Sequence, residues 1–161
     1  MLKIRTYQPE DLPRVLDITI AAWEPVFASF MHLLGADIFA LVYPDWREEK
    51  RQALTSQCAA EHGEHITIAE WEGYVAGFIV YYCNTNTGIG EISHNAVDPA
   101  YQNKGIATAL YMRVLDDMKS RGMRCAQVST GGDPSHAPAR RAYEKAGFQH
   151  ALPGVNYFQL L

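Results

Sequence analysis

The chain reads as an α+β sandwich, with a central twisted, mixed and mostly antiparallel sheet flanked by helices. Three observations predict it. Helical apolar spacing dominates roughly the first sixty residues. Residues 65–97 are then β-branched and aromatic runs broken by short turns. Two further helical segments, one after Val97 and one after Thr130, are each followed by strand-like sequence, which reads as crossover connections. At 161 residues the chain is long enough for a sizeable core, and we read 1–161 as one domain.

The elements follow in order. Leu2 to Tyr7 alternates as a short strand. Pro9-Glu10-Asp11 opens a helix, with proline and carboxylates where a first turn favours them. Its apolar positions include Leu12, Val15, Leu16, Ile18 and Ala22, and the pattern fades at Pro25. Val26 to Tyr43 is rich in Phe, Leu and Met and predicts one or two short helices. Pro44-Asp45 marks the next start, and Trp46 to Glu61 reads as a charged surface helix. His65 to Trp71 and Tyr74 to Cys83 form a hairpin around Glu72-Gly73. After turn residues from Asn84 to Gly90, Glu91 to Val97 completes the meander, within an apolar run that begins at Ile89. Ala107, Leu110, Tyr111, Val114, Leu115 and Met118 then lie on one continuous helical face, closed by Gly122. A strand from Arg124 to Thr130, a Gly-Gly-Asp-Pro loop and a helix from Pro138 to Ala146 come next. A pair of strands split by Pro153-Gly154 ends the chain, and their edges would offer a homodimer its pairing surface.

Composition narrows the function classes. The chain is 48% hydrophobic, which argues against disorder. No apolar run approaches the roughly 18 residues needed to span a bilayer. The N-terminus reads as a strand rather than a signal peptide, so a cytoplasmic location away from membranes is expected. Cys58, Cys83 and Cys125 read as reduced core thiols. The six histidines include no metal-binding spacing beyond the weak pair His62 and His65, so no metal is expected. A net charge of −4 argues against nucleic acid as a partner. Residues 1–75 carry 12 acidic and 6 basic side chains, against 6 and 8 in the remainder. That asymmetry suits a phosphorylated cofactor on the C-terminal half and a cationic substrate on the N-terminal half, or else a merely solvated surface.

The most informative stretch is V-D-P-A-Y-Q-N-K-G-I-A, from Val97 to Ala107. A strand that stops at a proline and feeds a helix leaves backbone N–H groups without intrahelical partners. The helix dipole adds about half a positive charge at the same spot. Such a loop suits a phosphate or pyrophosphate, and Gly105 lets the backbone approach it without a Cβ. Alone, the pattern is equally the start of an ordinary surface helix. A second constellation lies downstream. Ala139, Ala142 and Ala146 form a small-residue stripe that lets a helix lie close to a sheet, with Tyr143 on the same side and Gly147-Phe148 after it.

Together these constellations resemble the GNAT acyltransferase superfamily, which transfers an acyl group from acyl-coenzyme A, usually to an amine. The pyrophosphate signature Q/R-x-x-G-x-G/A is matched by Gln102, Gly105 and Ala107, and the preceding V-x-P by Val97 and Pro99. The later A-x-x-x-Y-x-x-x-G-F is matched by Ala139, Tyr143, Gly147 and Phe148. The resemblance is tight from Tyr74 to Phe148 and looser before it. It implies the GNAT fold and acetyl-coenzyme A as the cofactor. The backbone of Asn95, Ala96 and Val97 would lie along the pantetheine, and the loop of Gln102, Asn103, Lys104, Gly105, Ile106 and Ala107 would hold the pyrophosphate. His136 stands where the family often has an asparagine that contacts the pantetheine, and its imidazole would donate one hydrogen bond there. Arg140 or Arg141 would be placed to meet the 3′-phosphate.

The resemblance also implies roles in chemistry. Tyr143 would protonate the leaving thiolate. A backbone N–H near Ala96 or Val97 would stabilise the oxyanion, an interaction worth roughly 3 kcal/mol. With a pKa near 10, only roughly one amine in a thousand is neutral at pH 7, so a general base helps. Glu91 is the leading candidate, provided that it is buried. His94 has a suitable intrinsic pKa, but strict alternation would put it on the face opposite Glu91, Ser93 and Asn95. Glu24 is a third candidate. Trp23, Glu24, Phe27 and Tyr157, with Phe30 and Tyr43, would border the acceptor. The implied reaction is N-acetylation of a primary amine, in a small molecule or a peptide, by direct attack in a ternary complex. The alternative is a non-catalytic acyl-coenzyme A binding module.

Overall fold

The computed structural model describes residues 1–59 and 65–161. Five strands form one sheet in the order β1-β2-β3-β4-β5: β1 (Leu2–Thr6), β2 (His65–Trp71), β3 (Tyr74–Asn84), β4 (Ile89–Val97) and β5 (Cys125–Val128). The first three pairings are antiparallel and the β4–β5 pairing is parallel. The β2–β3 hairpin closes at Glu72 and Gly73, with φ of 53° and 88°. Two consecutive positive φ angles mark the turn whose twist matches that of its strands. The mixed, mostly antiparallel sheet is the one the sequence predicts.

Five helices cover the sheet: α1 (Leu12–Leu34), α2 (Ala36–Val42), α3 (Trp46–Cys58), α4 (Ile106–Ser120) and α5 (Ala137–Lys145). On one side Ile106, Leu110, Tyr111, Val114 and Met118 of α4 pack with Tyr143 of α5 against Ile79, Tyr81 and Ile92. On the other, Val15 and Ile18 of α1 and Leu54 of α3 pack against Ile68, Phe78, Val80 and Ala96. Successive β3 residues thus alternate between the two layers, as strand geometry requires.

Several boundaries differ from expectation. α1 does not fade at Pro25; it runs through it to Leu34. Proline forfeits one intrahelical hydrogen bond, but Val26 and Phe27, just beyond it, are buried, and their packing carries the helix on. α3 ends at Cys58, and Glu61 lies outside the described residues, as does His62. Cys58 and Cys83 are half-buried, but Cys125 is exposed rather than core. The expected C-terminal strands do not form. Residues 149–161 adopt neither strand nor helix, and Leu152, Val155 and Tyr157 are exposed. A hairpin that packs on nothing is at best marginal, and the dimer edges expected from it are absent. Among the described residues, no helix is long and apolar enough to cross a membrane, and no group of three or more metal-ligating side chains converges.

Ion pairs tie α1 to the sheet. Arg5 donates to both carboxylate oxygens of Asp11 at 2.7 Å and to Glu70 at 2.6 Å. Asp11 also accepts from the Gln8 backbone at 2.8 Å. These donors, Arg5 foremost, hold the Asp11 carboxyl below the usual carboxylate range despite its burial. Further along α1, Arg14 pairs with Asp98 and donates to the Val75 carbonyl at 3.2 Å, fixing the end of β4.

Candidate active site

The site begins with a break in β4. Its pairing with β3 steps from Ile79↔Asn95 to Tyr81↔Ile92, so Ser93 and His94 together oppose Val80. Such a bulge puts two adjacent side chains on one side of the strand. Ile92 packs in the α4 layer, and the Asn95 side chain bonds to residues of α4 and α5. Ser93 instead accepts a hydrogen bond from Gln57 of α3 at 3.0 Å. Its Oγ also lies 3.0 Å from His94 Nδ1. The alternation expected from sequence therefore fails here. His94 shares the α1–α3 side with Ser93, and Asn95 takes the other. Pairing with β5 ends at Ile92↔Val128, so residues 93–97 leave the sheet with that edge open.

On the α4 side, Tyr111 Oη donates to Asn95 Oδ1 at 2.7 Å, and Asn95 Nδ2 donates to Tyr143 Oη at 3.2 Å. The Tyr143 hydroxyl hydrogen is not used in this pair. Burial pushes both phenols above their ordinary value; at Tyr143 the bonds from Asn95 and Tyr111 act against that rise. Tyr143 thus keeps its proton at neutral pH. Asn95 as a side-chain partner, and Tyr111, escaped the sequence reading. Tyr111 was visible only as one more position on an apolar helix face.

The loop after β4 is held by Asp98, whose side chain accepts from the Ala100 backbone at 2.7 Å. Gln102, Asn103, Lys104 and Gly105 are exposed, while Ile106 is buried and anchors α4. Asn103 and Gly105 have φ of 61° and 76°. A Cβ built on Gly105 would meet nothing within 4 Å, so the positive φ, and not crowding, calls for glycine there. No side chain caps the first N–H groups of α4, the arrangement that suits an anion. Ala107 is half-buried in the first turn, and the Lys104 ammonium lies 5.1 Å from the centre of the Trp71 ring.

On the α1–α3 side the expected residues separate. Trp23 is half-buried and meets the His136 ring edge-on at 5.8 Å. Phe27 is a core residue, stacked on Trp46 at 4.1 Å. Glu24 is exposed and paired with Arg47. Phe30 packs against Tyr43 and His136. Tyr157 is 91% exposed on the irregular C-terminal segment. Glu91 is also exposed, and accepts from Gln127 at 2.8 Å, so the burial expected of it does not occur. His136 Nδ1 lies 2.6 Å from Asp133, which joins the loop before α5 to the aromatic rings of α1. Arg140 donates to the carbonyls of Gly131 and Asp133 at 2.6 and 2.9 Å, bracing this loop. Burial holds the His94 imidazole below its ordinary value, helped by the charge of Lys50.

An open strand edge, an uncapped helix start and a protonated phenol together make the kind of cradle that suits an extended anionic ligand. Known proteins of similar sequence and shape bear on what that cradle is. At 29% identity over 96 residues, 59% of this chain aligns with 64% of an uncharacterized N-acetyltransferase, YsnE, of Bacillus subtilis (strain 168). At 29% identity over 169 residues, 98% of this chain aligns with 49% of the mycothiol acetyltransferase of Saccharomonospora viridis. The chain thus spans about half to two thirds of the length of these relatives. The PaiA N-acetyltransferase of Thermoplasma acidophilum, solved in complex with coenzyme A, superposes with a TM-score of 0.71. That match covers 92% of this chain and 90% of the other, at 17% identity. The model of the Acetyltransferase (GNAT) family matches residues 29–148, a span that holds the bulge, the loop and Tyr143, and the chain belongs to that family.

Proposed function

We propose that this protein transfers an acetyl group from acetyl-coenzyme A to a primary amine of a small molecule or peptide, by direct attack in a ternary complex. The observation that carries the reading is the Tyr143 hydroxyl, bonded to Asn95 at 3.2 Å beside the open edge of β4. The N–H groups of residues 102–107 suit the pyrophosphate, and the unpaired edge of residues 95–97 suits the pantetheine. Acetyl-coenzyme A supplies a thioester whose carbonyl carbon accepts the amine nitrogen while the carbon–sulfur bond breaks. Tyr143, kept protonated by burial, gives its proton to the departing thiolate. A backbone N–H near Ala96 or Val97 supports the charge on the carbonyl oxygen.

The amine must also lose a proton. His94 suits that role better than Glu91. Its imidazole is neutral at pH 7, because burial lowers its affinity for a proton. Ser93 Oγ accepts from Gln57 Nε2 and lies 3.0 Å from His94 Nδ1; in the tautomer with its proton on Nδ1, His94 Nε2 carries the free lone pair that the role needs. Glu91, in contrast, is exposed and engaged by Gln127.

The test is a thiol-release assay with acetyl-coenzyme A over a panel of primary amines, comparing wild type with Tyr143→Phe. Amine-dependent thiol release that the variant loses is expected. Coenzyme A binding by calorimetry without thiol release on any amine would favour a binding module instead.

A further inference from the structure

Trp46, Lys50 and Leu54 occupy successive i, i+4 positions on α3, and the first and last are 5% and 0% exposed. Lys50 therefore sits in the inward stripe of the helix, between two core residues. Its ammonium lies 3.7 Å from the centre of the Trp23 ring. Among the described residues no carboxylate lies within ion-pairing distance of it. The acids of α1 and α3 are turned elsewhere: Asp17 pairs with Arg51 and Glu24 with Arg47, while Glu48 accepts from Gln52. Glu49 is exposed and acts on Lys50 only at a distance.

Taking an ammonium out of water is costly unless an anion meets it, and one indole face returns only part of that cost. Lys50 is also well placed to meet a ligand. Trp23, beneath it, touches His136, and its charge reaches His94. All four side chains are half-buried rather than sealed. On the α1–α3 side of β4, where the acceptor would approach His94, the innermost fixed charge among the described residues is thus positive. This reverses the expectation that an acidic N-terminal half should favour a cationic acceptor, since most of those acids are exposed or already paired.

We propose that Lys50 receives a carboxylate carried by the acceptor, so that the preferred substrate is an amine that also bears a carboxylate, as an amino acid does, and not a polycationic amine. This rests on the acetyl-transfer reading of the same site. Charge complementarity here acts twice, drawing the carboxylate inward and repelling competing cations.

The experiment uses matched pairs: α- and ω-amino acids against their carboxamides, compared at equal concentrations of neutral amine. In wild type the carboxylate member should lead by about tenfold or more in kcat/KM, as expected for a charge-assisted contact. Lys50→Met, which keeps the stem over Trp23, should bring the pair to within about threefold of parity. Lys50→Arg should restore the preference and Lys50→Glu should invert it. A second readout needs no turnover: equilibrium binding of N-acetyl amino acids and their amides, followed by tryptophan fluorescence in the presence of coenzyme A. The carboxylates should bind wild type but not Lys50→Met. Acetyl transfer with no charge preference, or with a preference for spermidine, would overturn the proposal and leave the transfer reading intact. Lys50-dependent carboxylate binding without any acetyl transfer would do the reverse. Equal binding of acid and amide to wild type would overturn it outright.

Discussion

The two sides of β4 at the bulge use neighbouring residues in opposite ways. On the α4 side, Asn95 links the Tyr111 and Tyr143 hydroxyls inside a layer built by Ile92, Leu110 and Val114. On the α1 side, Ser93 and His94 meet Gln57 and the field of Lys50. Desolvation acts on both, with opposite consequences. It raises a phenol, which then holds its proton, and lowers an imidazole, which then lacks one. The protonated hydroxyl of Tyr143 in α5, held by Asn95, thus lies on one side of the strand and the neutral imidazole of His94 on the other, the separation of roles that the proposed acid–base chemistry requires at neutral pH. A single extra residue in the strand makes the division possible.

The largest effect should come from the donor side. Tyr143→Phe should lower kcat by about 10³-fold, within the range of general acid catalysis, with coenzyme A affinity nearly unchanged by calorimetry. A variant that retained most of its activity would remove the donor from the comparison. The acceptor side comes next. His94→Gln should lower kcat/KM by about 10²-fold at pH 7. In wild type the acid limb of the pH profile should fall below about 6.5, the ordinary imidazole value, and the variant should lack that limb. Stability should follow the same sign. The unfolded chain takes up this proton first, so stability declines as pH falls from about 6.5 and levels off below the folded value.

Asn95→Leu tests the link between the two phenols. It leaves two buried hydroxyls without their partner and should cost about 2 kcal/mol of unfolding free energy in urea titrations. An unchanged midpoint would mean that the layer holds Tyr143 by packing alone. Gly105→Ala forces a side chain onto a positive φ and should cost about 1–2 kcal/mol, with a raised KM for acetyl-coenzyme A. Glu91→Gln should have the smallest effect, less than about 0.5 kcal/mol in stability, with the pH profile unaltered. Loss of the acid limb in this variant would return the base to Glu91 and dissolve the contrast between the two sides.

Much of the α4 side was legible in the chain. The helix face from Ala107 to Met118 repeats with a 3.6-residue period, and the Ala139–Ala142–Ala146 stripe carries Tyr143 with it. Periodicity reports a face and says nothing about what a polar group on that face bonds to, so Tyr111 passed for an apolar residue. The α1 side was harder to read. Pro25 is a helix breaker by local rules, yet buried Val26 and Phe27 override it. Phe27 and Trp23 look alike in sequence, but one is stacked in the core on Trp46 and the other lies open beneath Lys50. Lys50 itself belonged to a helix that read as charged surface, because its composition hid which positions faced inward.

Local sequence by itself determined the order of strands and helices as far as α5, the Glu72-Gly73 turn, the uncapped start of α4 and the presence of Tyr143 on an inward stripe. Each follows from spacing or from one residue's backbone preference, which neighbours along the chain suffice to set. Tertiary structure alone decided that Ser93 and His94 share a side, that Asn95 meets both phenols and that Lys50 has no carboxylate partner among the described residues. Register shifts and ion pairs depend on contacts between residues tens of positions apart, and no local pattern encodes them.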